Sequence, residues 1–236
     1  MIPQKAYILR IDDPISHEYA QIAANSCDKV GLPWEYFDNG KKGDKQGNPW
    51  NSEVLEKLSL KKQPPGSKGP AAYATLGHFL IWKKIADNKE CAIILEHDSL
   101  LLHKPTFECE DDVMVVLGYK VVDPDNYDSS TAGPPHTLED RQKHGGAHAY
   151  AMNHVTAESL LKNIRDGKRV NYIDNQFFLT SSSRGHVKMK ITNPICALGW
   201  LRKSTIWTKS AVDNYGPILD SFKSHYNSKE NLGIKK

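Results

Sequence analysis

The chain has 236 residues, 39% of them hydrophobic and 25% charged, the usage of a globular protein with a sizeable core and unlike that of disordered or fibrous chains. Lys and Arg number 31 against 28 Asp and Glu, a formal charge of +3, too mild to point to nucleic acid. The longest apolar runs, Cys91 to Leu95 and Val113 to Leu117, fall far short of the roughly 20 residues that span a bilayer. The start, MIPQKAYILRIDD, lacks the apolar centre of a secretory signal, so a cytoplasmic protein without a transmembrane segment is expected.

Residues Ala6 to Ile11 read as a strand. The next stretch places Tyr19, Ile22, Ala23, Cys27 and Val30 on one helical face, with Gly31 as its stop. A polar, glycine-bearing region around Asn39 to Pro49 follows, and residues 61 to 70, KKQPPGSKGP, form a breaker-rich loop. Helical spacing resumes over 71 to 87, with Ala72, Leu76, Phe79 and Leu80 on one face and His78, Trp82 and Ile85 on another.

The run CAIILEHD then suits a strand buried on both faces, as in a sheet covered by helices, and VMVVLG at 113 to 118 suits a second. Residues 123 to 146, polar and rich in Pro and Gly, read as one long mobile loop. Beyond it, 147 to 152 reads as a strand, 156 to 166 as a helix stopped by Gly167, and Val187, Met189 and Ile191 as the inward positions of a half-exposed strand. Strands alternating with helices predict an α/β layered domain over residues 1 to 221, with a polar tail at 222 to 236. Cys27, Cys91, Cys109 and Cys196 form no CxxC pair or zinc-spaced cluster and read as buried free thiols.

Glu96 and Asp98 follow the buried run at once, at the carboxyl end of a central strand, where open α/β sheets place their ligands. If the extended geometry persists, both carboxylates point to one side and His97 to the other. Two desolvated carboxylates call for a compensating cation, and oxygen ligands suit Mg²⁺ or Mn²⁺ bridging to phosphate. An incidental acidic pair on a solvated strand end is the competing reading.

The stretch YATLGHFLIWKKIADNKECAIILEHDSLLL resembles the signature of glycosyltransferase family 25, the lipooligosaccharide and collagen type sugar transferases. His78 and Trp82 match its helix, and Leu95, Glu96 and Asp98 match its strand end, with His97 in place of the middle Asp. DDVMVVLG, GGAHAYAMNHVTAESLL and YIDNQFFL follow in the family's order. Tyr73, Ala74 and Gly77 depart from the family's Gly, Cys and Ser.

The resemblance implies a GT-A fold, a Rossmann-like, mostly parallel sheet with helices on both faces. Its donor half would be about residues 1 to 120 and its acceptor half about 121 to 221. It further implies a metal-dependent inverting transfer of a hexose, galactose or glucose, from a UDP-linked sugar to a glycan or other hydroxyl acceptor, as in lipopolysaccharide synthesis. On that reading Asp98, Glu96 and His186 are the candidate metal ligands, with His148 a further candidate for the third place. Glu96, Asp98, His78, Gly146 and Tyr150 would serve the donor. Asp174 is the candidate general base, with Asp140 second, although an Asp there also reads as the N-cap of its own helix. Gly145 and Gly146 would let the backbone approach a sugar, or simply make a turn. Two other classes stay open. His78 with the His97–Asp98 pair imitates an HD-type metal phosphohydrolase, which needs that pair on a helix, and an inactive binding protein of the glycosyltransferase fold would keep the site without turnover.

Overall fold

The computed structural model describes residues 1–41, 48–64, 70–121, 132–170 and 172–200. In chain order these form β1 (Lys5–Asp12), α1 (Pro14–Lys29), β2 (Trp34–Lys41), α2 (Ser52–Lys57), α3 (Pro70–Asn88), β3 (Cys91–Glu96), β4 (Ser99–Leu101), β5 (Val113–Val116), β6 (Gly118–Val121), β7 (Thr137–Asp140), β8 (Ala149–Asn153), α4 (His154–Arg165), a π-helical segment at Asp174–Leu179, β9 (Lys188–Asn193) and β10 (Ala197–Trp200). The polar tail expected at 222 to 236 lies outside the described residues.

Seven strands make the main sheet in the order β2-β1-β3-β8-β5-β9-β7. Five run the same way, while β8 and β7 are reversed. The period of two then divides the apolar residues into two cores. Tyr7, Leu9, Ala92, Ile94, Met114, Val116, Tyr150 and Met152 share one core with Phe79, Trp82 and Ile85 of α3 and with Leu160, Leu161 and Ile164 of α4. Ala6, Ile8, Ile93, Leu95, Val113, Val115, Ala149 and Ala151 share the other with Ala20, Ala23, Ala24 and Cys27 of α1. Helices therefore cover both faces, as the resemblance implied.

Asp13 starts α1 by accepting from the Ile15 and Ser16 amides at 3.0 and 3.4 Å, with Pro14 in the first turn. The inward face of this helix is smaller than expected. Ala20, Ala23, Ala24 and Cys27 are buried, while Tyr19, Ile22 and Val30 are only half-buried, because small side chains let the helix lie close on the sheet. Asn153 starts α4, accepting from the Thr156 amide at 2.9 Å.

Two expectations change. The polar region after α1 is entered by strand β2, parallel to β1. Its partners come from the fold rather than from its alternating pattern. The single long loop at 123 to 146 is also broken: residues 123 to 131 lie outside the described residues, and Thr137–Asp140 pairs with β9 as an antiparallel edge strand. An edge strand with polar outward residues has no hydrophobic alternation to betray it.

A small sheet, β4-β10-β6, stands beside the main one. Gly118 is required where β6 meets β10, since a Cβ there would lie 1.8 Å from the Ala197 carbonyl oxygen. Among the described residues no helix is long and apolar enough to cross a membrane.

Candidate functional site at the end of strand β3

Alternation along β3 puts Glu96 on the α3 face, in line with Ala92 and Ile94. The regular strand ends there, and His97 and Asp98 turn into β4. The His97 ring stacks on Tyr19 of α1, centroids 6.1 Å apart, on the opposite face. Asp98 is fixed through its backbone, whose carbonyl accepts the Trp200 N–H at 2.7 Å.

Behind Glu96 runs a buried chain of hydrogen bonds. The Trp82 indole N–H donates to the Tyr150 hydroxyl at 2.8 Å, and His78 Nδ1 lies 2.8 Å from the same oxygen. Indole only donates, so the Tyr150 oxygen accepts from Trp82, and in the tautomer that suits a carboxylate at Nε2 the Tyr150 proton goes to His78 Nδ1. That leaves the imidazole proton on Nε2, which faces Glu96 Oε1 at 3.3 Å. His78, Trp82 and Tyr150 are all fully buried. The resemblance assigned His78 and Tyr150 to the donor; the chain of hydrogen bonds sets both behind Glu96.

Three carboxylates and one ammonium meet at this strand end. Lys120 Nζ of β6 stands 4.0 Å from Glu96 Oε2. Burial would raise the Glu96 carboxyl, but the bond from His78 and the charge of Lys120 hold it at about 2. Asp98 goes the other way, raised by burial and by Glu96 against the pull of Lys120. Asp174 is raised by burial and by Glu96, and opposed by Lys120 and the Ala147 amide. Carboxylates whose environments push them apart are what acid–base chemistry requires.

The second half of the chain brings Asp174 here. Phe177 of the π-helical segment packs between Phe79 and Trp82 of α3, with ring centroids 5.9 and 5.1 Å away. The segment begins at Ile173 without a side-chain cap, and Asp174 Oδ1 instead accepts the Ala147 N–H at 2.6 Å. The N-cap reading of Asp174 is thus replaced by a tie to the turn that carries Gly146, whose φ of 109° suits glycine. The His148 carbonyl next to it accepts the Glu96 N–H at 2.8 Å. Burial, together with Lys120, pushes the His148 imidazole down to about 3, so it is neutral.

Two candidates are not brought to the cluster. Asp140 is exposed on edge strand β7, level with Lys190, Val115, Ala151 and Ile93. Four strand spacings separate it from β3, about 19 Å. His186 is 63% exposed and pairs with Asp112 at 3.1 Å, just before β5. Because β5 runs in the direction of β3, this is the opposite end of the sheet from Glu96, and His186 is not its metal ligand. Lys120 went unnoticed in the sequence. It follows the buried strand by a few residues in an unremarkable GYKVV, and only the pairing of β6 with β10 directs it inward.

The residues present fit a hard divalent cation held at Asp98. Among the described residues the buried Asp98 Oδ1 finds no hydrogen-bond partner, and the acidic groups of the cluster outnumber its lysine. Among the described residues no group of three or more His, Cys, Asp or Glu forms a ready cage.

No protein-family model matches the sequence, and no curated protein sequence matches it. A solved glycosyltransferase involved in the glycosylation of the major capsid of PBCV-1 resembles the chain with a TM-score of 0.41 and 9% identity, over 91% of this chain and 99% of that one.

Proposed function

We propose that the chain is a glycosyltransferase that moves a hexose from a nucleotide sugar, UDP-linked, to a hydroxyl acceptor with inversion. One observation carries the reading: the later half of the chain delivers Asp174 to the same strand end as Glu96 and Asp98, with its carboxyl raised. A displacement needs positive charge for the departing diphosphate and a base for the attacking hydroxyl. Asp98, with Glu96 behind it, would hold Mg²⁺ or Mn²⁺, which supplies the electrophile for the diphosphate. Asp174 keeps Oδ1 on Ala147 and presents its other oxygen to the acceptor proton. In one displacement the hydroxyl oxygen bonds to the anomeric carbon as the bond to the diphosphate breaks, and the hydroxyl proton passes to Asp174.

Calorimetric titration of UDP with Mn²⁺ and with chelator tests this. Wild type binds UDP more tightly with metal, and Asp98→Asn, folded, loses that gain because an amide lacks the anionic oxygen a hard cation prefers. Preference for nucleoside monophosphates and their hydrolysis would favour the phosphohydrolase, although His97 and Asp98 sit in a turn rather than on the helix that reading needs. Metal-dependent UDP binding without transfer would mark an inactive binding protein.

A further inference from the structure

We infer that Arg184 is the centre of a second binding site, at the end of the sheet far from Glu96, and that this site takes a phosphate group. It stands apart from the nucleotide-sugar reading.

Arg184 lies in the turn between the π-helical segment and β9. Lys188 opens β9 level with Val113, which opens β5, and β5 runs in the direction of β3. The turn therefore stands where these strands start, and the Glu96 cluster where β3 finishes. Its backbone is well held. The Arg184 carbonyl accepts from Asn163 Nδ2 of α4 at 2.7 Å and from the Val187 N–H at 3.2 Å, and the Ser183 hydroxyl donates to the Arg169 carbonyl. The guanidinium reaches the segment after β7, where Nη2 donates to the Gln142 carbonyl at 3.0 Å.

Among the described residues that one bond is all the guanidinium makes. Arg184 keeps 5% of its surface, and its Nε and Nη1 are buried without a hydrogen-bond partner. Burial lowers the guanidinium, and no neighbouring carboxylate raises it. Asp166, at the end of α4, is held by Lys162 at 2.6 Å, and Asp112 by His186 at 3.1 Å. An arginine stays protonated in proteins, so a full charge is enclosed here with nothing opposite it. Such a charge is costly unless an anion meets it, and a guanidinium suits an oxyanion that several of its N–H groups can reach together.

The surroundings favour phosphate over a carboxylate. Gln142 stands between Arg141 and Lys143. Lys168 donates its backbone N–H at 3.1 Å to the carbonyl of Asn163, the residue whose side chain holds the Arg184 carbonyl. One carboxylate would balance Arg184 alone, whereas a phosphate, with up to about two charges, also answers the cations around it. Gln142, Ser182 and Gly185 are exposed, so the guanidinium lies directly beneath a surface of turn residues.

Calorimetry of inorganic phosphate with the full chain, against chloride of equal ionic strength, tests the inference on wild type, Arg184→Gln and Lys143→Gln. Phosphate should bind wild type. Arg184→Gln should bind it tenfold or more weakly, the scale of one charge-assisted contact, and Lys143→Gln, altered only at the exposed rim, a few-fold more weakly. Should Arg184→Gln fail to fold, the other two decide: phosphate should raise the wild-type melting temperature above that in matched chloride, and Lys143→Gln should gain less. Flotation with phosphatidylcholine vesicles, with and without phosphatidic acid, separates the sources. Recovery only with phosphatidic acid identifies a lipid headgroup, and phosphate binding without recovery on either vesicle identifies a soluble phosphate. No heat and no melting shift with phosphate, or equal affinity in wild type and Arg184→Gln, overturns the assignment. The gain that Mn²⁺ gives UDP belongs to the other end of the sheet and should be equal in wild type and folded Arg184→Gln; its loss in the variant would put Arg184 in the donor site and overturn the assignment too.

Discussion

The Asp174 carboxylate bonds across the fold to the Ala147 amide, 2.6 Å away, and not to the amides of its own helical segment. The bond couples the candidate base to the Gly146 turn beside Lys120. Asp174→Asn keeps an oxygen for that amide, so the fold should survive with its melting temperature little changed. Transfer should fall about a hundredfold or more, the usual loss for a general base, with donor affinity held. Because burial and Glu96 raise the Asp174 carboxyl, the ionised base is lost on the acid side, and wild-type transfer should rise with pH through a value above that of an ordinary aspartate. Transfer rate and melting temperature measured on the same variant check this; near-normal transfer would strip Asp174 of the role.

Tyr150→Phe removes a single oxygen that serves both Trp82 and His78. Each buried group left without its partner costs about 1–3 kcal/mol, so the urea midpoint should drop well below wild type. UDP affinity should fall too, although Tyr150 is fully buried, because His78 no longer holds Glu96. An unchanged midpoint would mean that the chain of hydrogen bonds contributes nothing.

Glu96 ties the site to acid stability. Its folded value near 2 lies below the ordinary 4.5, so its contribution is complete above 4.5 and is lost as pH falls toward 2. Asp98 and Asp174, both raised, work in the opposite sense, since protonation relieves them. Comparing wild type with Glu96→Gln by urea unfolding across this range isolates the first effect. The stability difference between the two should be largest above pH 4.5 and shrink as the solution is acidified to pH 2; a difference that does not move with pH would contradict it.

Cys27, Cys91, Cys109 and Cys196 are free and buried. Burial pushes the Cys27 and Cys196 thiols up to about 12, and Cys109 is raised by its contact with Cys91 and by burial. A thiolate reagent should therefore react slowly with the native protein and with all four cysteines once it is unfolded. Rapid native labelling of any one would show local opening there.

Much of the frame was written locally. The unbroken run Cys91 to Leu95 suited a strand covered on both faces, and its end put Glu96 and Asp98 at the carboxyl end of that strand. The α3 periodicity likewise placed His78 and Trp82 on one helix. What local pattern could not hold was the order of strands. Only the small sheet brings Lys120 beside Glu96, only the packing of Phe177 against α3 carries Asp174 to the same place, and only the antiparallel β8 sets Tyr150 between Trp82 and His78. Asp140 and His186, equally plausible by residue type, were carried to an edge and to the far end. Periodicity reports which face of an element is apolar, because burial is a property of one strand or helix; which side chains meet across elements is decided by pairing and packing between segments distant in the chain.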